Sequence, residues 1–400
     1  MALSFQTGPR TSSKVSIRIL TILLLMLSAL RSANSQTSTP ATLSEQYTTQ
    51  ERVQRSKWWP TSGKAARSDY AGADTCGECH DLFLKGQAQH LMARTSASAS
   101  TSQILRSHIA MPFRVNGYDY QITGDSGNSL QYEVKESGKK TNGPLTWAFG
   151  AGKVGQSYLS KEGESYREIR FSYFSSLNEF DVTPNQFLQT VPTIEKAAGR
   201  LLSEAEARRC VGCHTTASTV GNNFDPTNAV PGVSCEGCHG PGAKHVSEMK
   251  AGNLESALAA ITNPGKLKPV DAVDFCGACH TTWWDAKEIG ANGIANVRFQ
   301  PYRLENSRCW SRGDARLACF ACHDPHQPLV KEAGYYDSKC LNCHADRGTA
   351  KTQAQKLSGC PVATKDCVTC HMKKYEVPTM HFKYTDHRIG IAKADAGFPE

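Results

Sequence analysis

Hydrophobic and polar residues change their spacing along the chain and so divide it into distinct segments. Apolar and polar residues alternate with a period of two over 130–135 and 169–173, which predicts β-strands. Helical spacing predicts helices over 195–210 and 247–262, and glycine and proline interrupt much of the remaining C-terminal half. The pattern therefore predicts a mostly α fold with much irregular structure and one small β-rich insert.

The first 35 residues have the pattern of a secretory signal peptide. Arg10, Lys14 and Arg18 precede an apolar run, and small residues at 33–35 provide a cleavage site. The run is shorter than the ~20 residues that a transmembrane helix needs. We therefore expect a periplasmic protein with no membrane span after signal removal. An extracellular or outer-surface location and an uncleaved N-terminal anchor are the alternatives.

Sixteen cysteines are too many for an ordinary intracellular protein. Fourteen of them fall into seven Cys-x-x-Cys-His motifs, which begin at Cys76, Cys210, Cys235, Cys276, Cys319, Cys340 and Cys367. The second cysteines are Cys79, Cys213, Cys238, Cys279, Cys322, Cys343 and Cys370. The motif histidines are His80, His214, His239, His280, His323, His344 and His371.

This spacing has a chemical reason. Two thiols separated by two residues can join the two vinyl groups of one haem, and the next histidine then ligates its iron. Structural zinc, Fe–S and thioredoxin-type sites do not need a histidine after every second cysteine. The sequence therefore predicts seven covalently attached haems c. The remaining cysteines, Cys309 and Cys360, are expected to form a disulfide, with independent thiols as the alternative.

Six histidines lie outside the motifs and are candidates for the distal position on the irons. They are His90, His108, His245, His326, His381 and His387. Six distal histidines cannot serve seven irons, so one iron takes a methionine, a ligand from another molecule, or none. His245 and His326 follow their own motif histidines too closely to reach the opposite face of the same haem. We expect each to ligate the iron of a neighbouring haem.

The motif positions also predict the domain organisation. After the signal peptide, residues 36–72 form a flexible lead-in and 73–109 form the first haem segment. Residues 110–190 contain neither cysteine nor histidine and form the β-rich insert without haem. Residues 191–400 form a six-haem domain, in which haem supplies much of the core.

The basic formal charge does not indicate a nucleic-acid or membrane partner. The net charge is +8, but the predicted signal peptide carries four basic residues and no acidic ones. The mature chain is therefore near +4, and the propionates of seven haems bring the oxidised protein to about −3. We expect redox partner proteins and no nucleic acid.

Several segments resemble the cytochrome c554-like multihaem cytochromes. They are 75–90, 149–152, 156–159, 233–245, 319–326, 367–372 and 385–389. The resemblance covers roughly residues 70–390 and implies a haem-packed fold with bis-histidine ligation. It matches His90, His245, His326 and His387 best to distal ligands.

Three functions are compatible with these motifs. An electron-transfer protein that links redox partners is favoured over a catalyst, since closely spaced one-electron centres need no substrate pocket. A reductase or oxidase of a small nitrogen or sulfur compound, acting at the haem without a distal histidine, is the first alternative. A subunit of a cytochrome filament is the second.

Overall fold

A computed structural model describes most of the chain from residue 65 onwards. The described residues are 65–124, 129–187, 191–221, 223–310, 316–344, 360, 362–391 and 397–399. They all belong to one unit, residues 47–400. The predicted signal peptide and residues 36–64 of the lead-in lie outside the described residues. None of the helices in these ranges combines the length and the hydropathy that a membrane span requires.

The helices are short, apart from the first. They are α1 (Ala73–Gln89), α2 (Gln103–Ser107), α3 (Ile194–Ala197), α4 (Glu204–His214), α5 (Cys235–His239), α6 (Ala243–Lys250), α7 (Leu254–Ala259), α8 (Pro269–His280), α9 (Trp283–Glu288), α10 (Gln300–Glu305), α11 (Cys319–Cys322), α12 (Asp337–His344) and α13 (Cys367–His371).

The strands lie mainly between the first two motifs. They are β1 (Ser96–Ser98), β2 (Pro112–Val115), β3 (Tyr118–Gly124), β4 (Leu130–Glu136), β5 (Lys139–Leu145), β6 (Trp147–Phe149), β7 (Gly155–Glu162), β8 (Ser165–Phe174), β9 (Glu179–Val182), β10 (Gly199–Leu202), β11 (Thr215–Thr216), β12 (Thr219–Val220), β13 (Asn223–Phe224), β14 (Val230–Pro231), β15 (Lys374–Val377) and β16 (Phe382–Thr385).

Two antiparallel sheets form the β-rich part. One is a four-stranded meander in the order β2-β3-β4-β5, and the other has the order β1-β6-β7-β8-β10 with β9 also paired to β8. The alternation in β4 buries Leu130, Tyr132 and Val134. Together with helices and several two-stranded sheets, these sheets give a mixed fold, with more strands than the mostly α prediction includes.

Strand β8 departs from the simple alternation because both of its faces are covered. Ile169 and Phe171 are fully buried in the aromatic core, where the ring of Phe180 lies 5.3 Å from that of Phe171. Arg170 and Ser172 are also buried, and they hydrogen-bond to the segment after β9. Polar residues of a central strand can be buried when such partners satisfy them.

The predicted helix over 195–210 is wrong in its middle, where the structure has strand β10. Gly199 has a φ of 128°, and a Cβ atom there would lie 2.1 Å from the carbonyl oxygen of Glu168. Only glycine permits this backbone and this approach, so the chain leaves α3, pairs with β8 and enters a new helix, α4. That helix carries the second motif.

Candidate haem-attachment sites

The two cysteines of each Cys-x-x-Cys-His motif lie on one turn of helix, and in five motifs that turn includes the histidine. Helices α4, α5, α8, α12 and α13 end at the motif histidine, whereas α11 ends one residue before His323 and α1 is kinked at His80. Positions i, i+3 and i+4 of a helix share a face, so the two thiols and the imidazole of these five motifs converge.

Large apolar side chains stand exposed beside several motifs. Leu82 and Phe83, just after the first motif, are 79% and 54% exposed, and Phe320 and Leu341 lie exposed inside the fifth and sixth motifs. Soluble proteins seldom leave such groups uncovered at one site. A flat apolar macrocycle attached to each motif would cover them, so the surroundings of the motifs fit haem.

Hydrogen bonds orient several motif imidazoles. Nδ1 of His214 donates to the carbonyl oxygen of Thr95 at 3.1 Å, and Nδ1 of His239 donates to that of Thr262 at 2.8 Å. His371 is held in the same way. Burial lowers the pKa of His214 and of His239. A neutral ring with its proton on Nδ1 leaves Nε2 available to bind iron.

Two histidines outside the motifs lie opposite motif histidines at the separation expected for a shared iron. The ring centroids of His239 and His326 are 6.0 Å apart, and those of His323 and His387 are 6.2 Å apart. Metal–imidazole bonds of about 2 Å on both sides of one iron also place the two centroids about 6 Å apart. His326 follows the fifth motif, whereas His239 belongs to the third. His387 follows the seventh motif, whereas His323 belongs to the fifth.

His90 and His245 lie near other motifs. His90 lies within electrostatic reach of His280 and of His323, and burial lowers its pKa. Its Nδ1 accepts a hydrogen bond from the backbone N–H of Met92. Nδ1 of His245, on α6, donates to the carbonyl oxygen of Ala257 at 2.9 Å.

The remaining two candidate histidines contact the β-rich part. Nε2 of His381, the atom that would bind iron, lies 2.9 Å from Oδ2 of Asp181 on β9. The ring of His108 packs edge-on against Phe180, with a centroid separation of 5.0 Å, and its Nδ1 donates to the carbonyl oxygen of Ile104. The structure thus brings four of the six candidates near motifs and two onto the sheets.

The expected disulfide between Cys309 and Cys360 is absent from the structure. Cys360 is exposed, and the backbone N–H groups of Ala363 and Val362, together with His371, lower the pKa of its thiol.

Neighbouring motifs lie close together, a feature that the sequence did not reveal. Helix α1 contacts α5, α8 contacts α11, and α12 contacts α13. Cysteines of different motifs also influence each other: Cys235 raises the pKa of Cys76, Cys319 that of Cys276 and Cys213 that of Cys279. Weaker influences link Cys238 with Cys276 and Cys322 with Cys343. The motifs therefore form one set of neighbours, in the order first, third, fourth, fifth, sixth and seventh, with the second beside the fourth.

Two carboxylates hold motifs together, and both were missed in the sequence. Glu236, inside the third motif, accepts hydrogen bonds from the segment before α1. Asp337, at the start of α12, accepts them from the backbone N–H groups of Asp366 and Cys367, at 2.7 and 2.9 Å. An acidic residue near a motif carries no sequence signal for partners so distant in the chain.

Helix α4 has a capping box that positions the second motif. The Ser203 hydroxyl accepts from the N–H of Glu206, whose carboxylate accepts from the N–H of Ser203. Replacing Ser203 by alanine should lower the free energy of unfolding by about 1 kcal/mol, measured by denaturant titration. Ser247→Ala, inside α6, is the control and should cost less. Equal losses would show that the cap contributes nothing.

Comparisons with known proteins give consistent matches. Residues 182–240 match the family described as cytochrome c554 and c-prime. Over 176 residues the chain is 26% identical to the high-molecular-weight cytochrome c of Nitratidesulfovibrio vulgaris. The aligned region covers 42% of this chain and 26% of that protein. Over 221 residues it is 24% identical to the multiheme cytochrome MtrA of Shewanella baltica, spanning 50% of this chain and 62% of that protein.

A solved structure of similar extent is that of the outer cell wall cytochrome OcwA. The alignment covers 80% of each chain, with a TM-score of 0.45 and 15% sequence identity. The chain thus spans about a quarter and about three fifths of the two relatives that it matches in sequence.

Proposed function

Because this chain is a cytochrome c554-like multihaem cytochrome, we propose that it is an exported electron-transfer protein that carries seven haems c in one continuous array. Each bound haem would supply a one-electron Fe(III)/Fe(II) couple. The two cysteines and the histidine of every motif attach and ligate it. The protein works in the periplasm between redox partner proteins.

One observation carries this proposal, namely the proximity of the motif helices, since α1 contacts α5, α8 contacts α11, and α12 contacts α13. Each thioether sulfur would join the edge of its haem, so neighbouring motifs would hold two haem edges close together. Electron tunnelling falls steeply with the distance between edges. This proximity therefore supports transfer along the array in its spatial order, which differs from the order of the motifs in the sequence.

The same geometry supports specific distal ligands. His326 fits the iron of the third motif and His387 that of the fifth, because their rings face His239 and His323 at the separation of a shared iron. His90 is then the candidate for the fourth motif, since it lies within electrostatic reach of His280. To bind iron through Nε2, its ring would have to give up the hydrogen bond that Nδ1 accepts from the N–H of Met92.

His245 fits the first motif. It lies on α6, and that helix contacts the first motif through an ion pair of 3.3 Å between Lys250 and Glu78. Lys250 follows His245 by five residues on this helix, so the assignment rests on the contact of α6 with the first motif.

A reductase or oxidase of a small nitrogen or sulfur compound is the second candidate, and the positions of two histidines favour it. His381 uses Nε2 in its contact with Asp181, and His108 packs against Phe180. If both stay there, three irons rather than one lack a distal histidine. An iron with an open position can bind a small ligand.

Rapid mixing of the oxidised protein with a small, non-specific reductant separates the two candidates. Electron transfer predicts reduction of all seven haems in one fast phase and no steady turnover with nitrite, hydroxylamine or sulfite. Sustained turnover that depends on one of these compounds would support the second candidate. Haems that are reduced in separate slow phases would contradict a continuous array.

A further inference from the structure

A buried carboxylate connects the first and the third motifs. Glu236 lies between the two cysteines of the third motif and is 3% exposed. Its Oε1 accepts hydrogen bonds from the N–H groups of Ala71, at 2.8 Å, and Gly242, at 2.7 Å. Its Oε2 accepts one from Gly72, at 2.9 Å. Three donors at these distances satisfy an ionised carboxylate, which offers only acceptor atoms.

These bonds fix the position of α1 relative to the third motif. Ala71 and Gly72 immediately precede α1, which carries the first motif, and Gly72 is its N-cap residue. Helices α1 and α5, which carry the cysteines of the two motifs, are in contact at the same junction. Removing the side chain of Glu236 would leave three N–H groups without their acceptor at the point where the two motifs meet.

The carboxylate also places a negative charge within a haem-attachment motif. Burial keeps water from screening this charge fully, so it acts on nearby groups more strongly than a surface charge would. It contributes to the raised pKa of the Tyr70 phenol, whose main cause is burial. A negative charge near an iron favours Fe(III) over Fe(II) and so lowers the reduction potential.

We propose that Glu236 positions the first and third motifs against each other and lowers the reduction potential of the haem attached at Cys235 and Cys238. This inference rests on the proposed attachment of haem at the third motif. The lower reduction potential would make this haem accept electrons less readily. Electron transfer from the haem of the first motif to that of the third would then be less favourable than the next transfer, to the fourth. Glu236 is a positioning and electrostatic residue and does not contact a substrate.

The chain offers a matched control for the test. Glu78 also lies between the two cysteines of a motif, but its side chain is 57% exposed and pairs with Lys250. Glu78→Gln therefore makes the same chemical change inside the first motif at a solvent-exposed position. Glu236→Asp is a second control, because it keeps the charge but shortens the side chain and so weakens the hydrogen bonds.

Potentiometric titration of the exported holoprotein, followed by EPR and visible absorption, provides the readout. We expect Glu236→Gln to move one haem couple to higher potential and Glu78→Gln to leave all couples within experimental error. Glu236→Asp should keep that couple low while lowering the unfolding temperature. The proposal would be overturned if Glu236→Gln shifted the reduction potential no more than Glu78→Gln does. It would also be overturned if Glu236→Asp shifted that potential as much as Glu236→Gln.

The intact mass and the peptide masses of each variant are measured before its potentials. A wild-type protein without haem at 235–239 would contradict the proposed function itself, whereas seven haems with unmoved potentials would contradict only the role of Glu236. If Glu236→Gln loses a haem and Glu236→Asp keeps all seven, the requirement for negative charge is supported. If both variants lose haem, the electrostatic part of the proposal is overturned.

Discussion

Replacing His326 by alanine is expected to convert one low-spin haem of the oxidised protein into a high-spin haem without removing any haem. The ring of His326 faces His239, so its loss opens the distal position of the third motif while both thioethers remain. EPR of the oxidised protein would count the change, and intact mass would verify that the number of haems is unaltered.

The matched control for this variant is His381→Ala. His381 precedes a strand, contacts Asp181 through Nε2 and packs against Phe174. Its removal should leave the number of low-spin haems unchanged. A loss of one low-spin haem in His381→Ala, or none in His326→Ala, would contradict the ligand assignment drawn from the ring geometry.

Replacing Arg303 by alanine should lower the free energy of unfolding by about 3–5 kcal/mol, because it leaves Asp386 as a buried charge without its partner. The two side chains are 1% and 3% exposed and form two hydrogen bonds of 2.8 Å. Arg303 also donates to the carbonyl oxygen of Pro399. Denaturant unfolding, followed by circular dichroism in the haem band, would measure the loss.

The effect of Arg303→Ala should extend to ligation, since Asp386 immediately precedes His387. Exposed ion pairs contribute little, so Lys85→Ala, which breaks the Lys85–Asp81 pair on α1, should change stability by no more than about 1 kcal/mol. Similar losses in the two variants would show that burial of the Arg303–Asp386 pair is unimportant.

The strands between the first two motifs could be predicted from the sequence, and the attachment residues proposed from it, because both depend on local patterns. A motif contains its whole chemistry within five residues, and a strand repeats its burial every second residue. The break between α3 and α4 could not be predicted in this way. It depends on how closely Gly199 approaches Glu168, which lies 31 residues earlier in the chain.

Distal ligation depends on tertiary structure, and two histidines illustrate why spacing alone fails. His90 follows His80 by ten residues, and His381 follows His371 by the same number. His90 lies near the histidines of the fourth and fifth motifs, whereas His381 lies in a left-handed turn before β16 and contacts Asp181. The difference comes from β9, which is 200 residues away from His381 in sequence.

The contacts between motifs also lie beyond what the sequence predicts. The third motif follows the second in the chain, yet its helix contacts that of the first motif, and Cys238 lies within electrostatic reach of Cys276 in the fourth. Glu236 secures one of these contacts through N–H groups more than 160 residues away. The spatial order of an electron path is thus a property of the fold.

Coulometric reduction of the purified, exported protein tests the central claim most directly, because it counts one-electron centres that communicate with one another. Under the proposed function each motif would contribute one couple, and neighbouring motifs would allow every couple to be reached from outside. We predict an uptake of seven electrons per chain, one for each of the seven Cys-x-x-Cys-His motifs. A smaller uptake from a protein with all seven haems attached would contradict a continuous array, and fewer attached haems would contradict the assignment of the motifs.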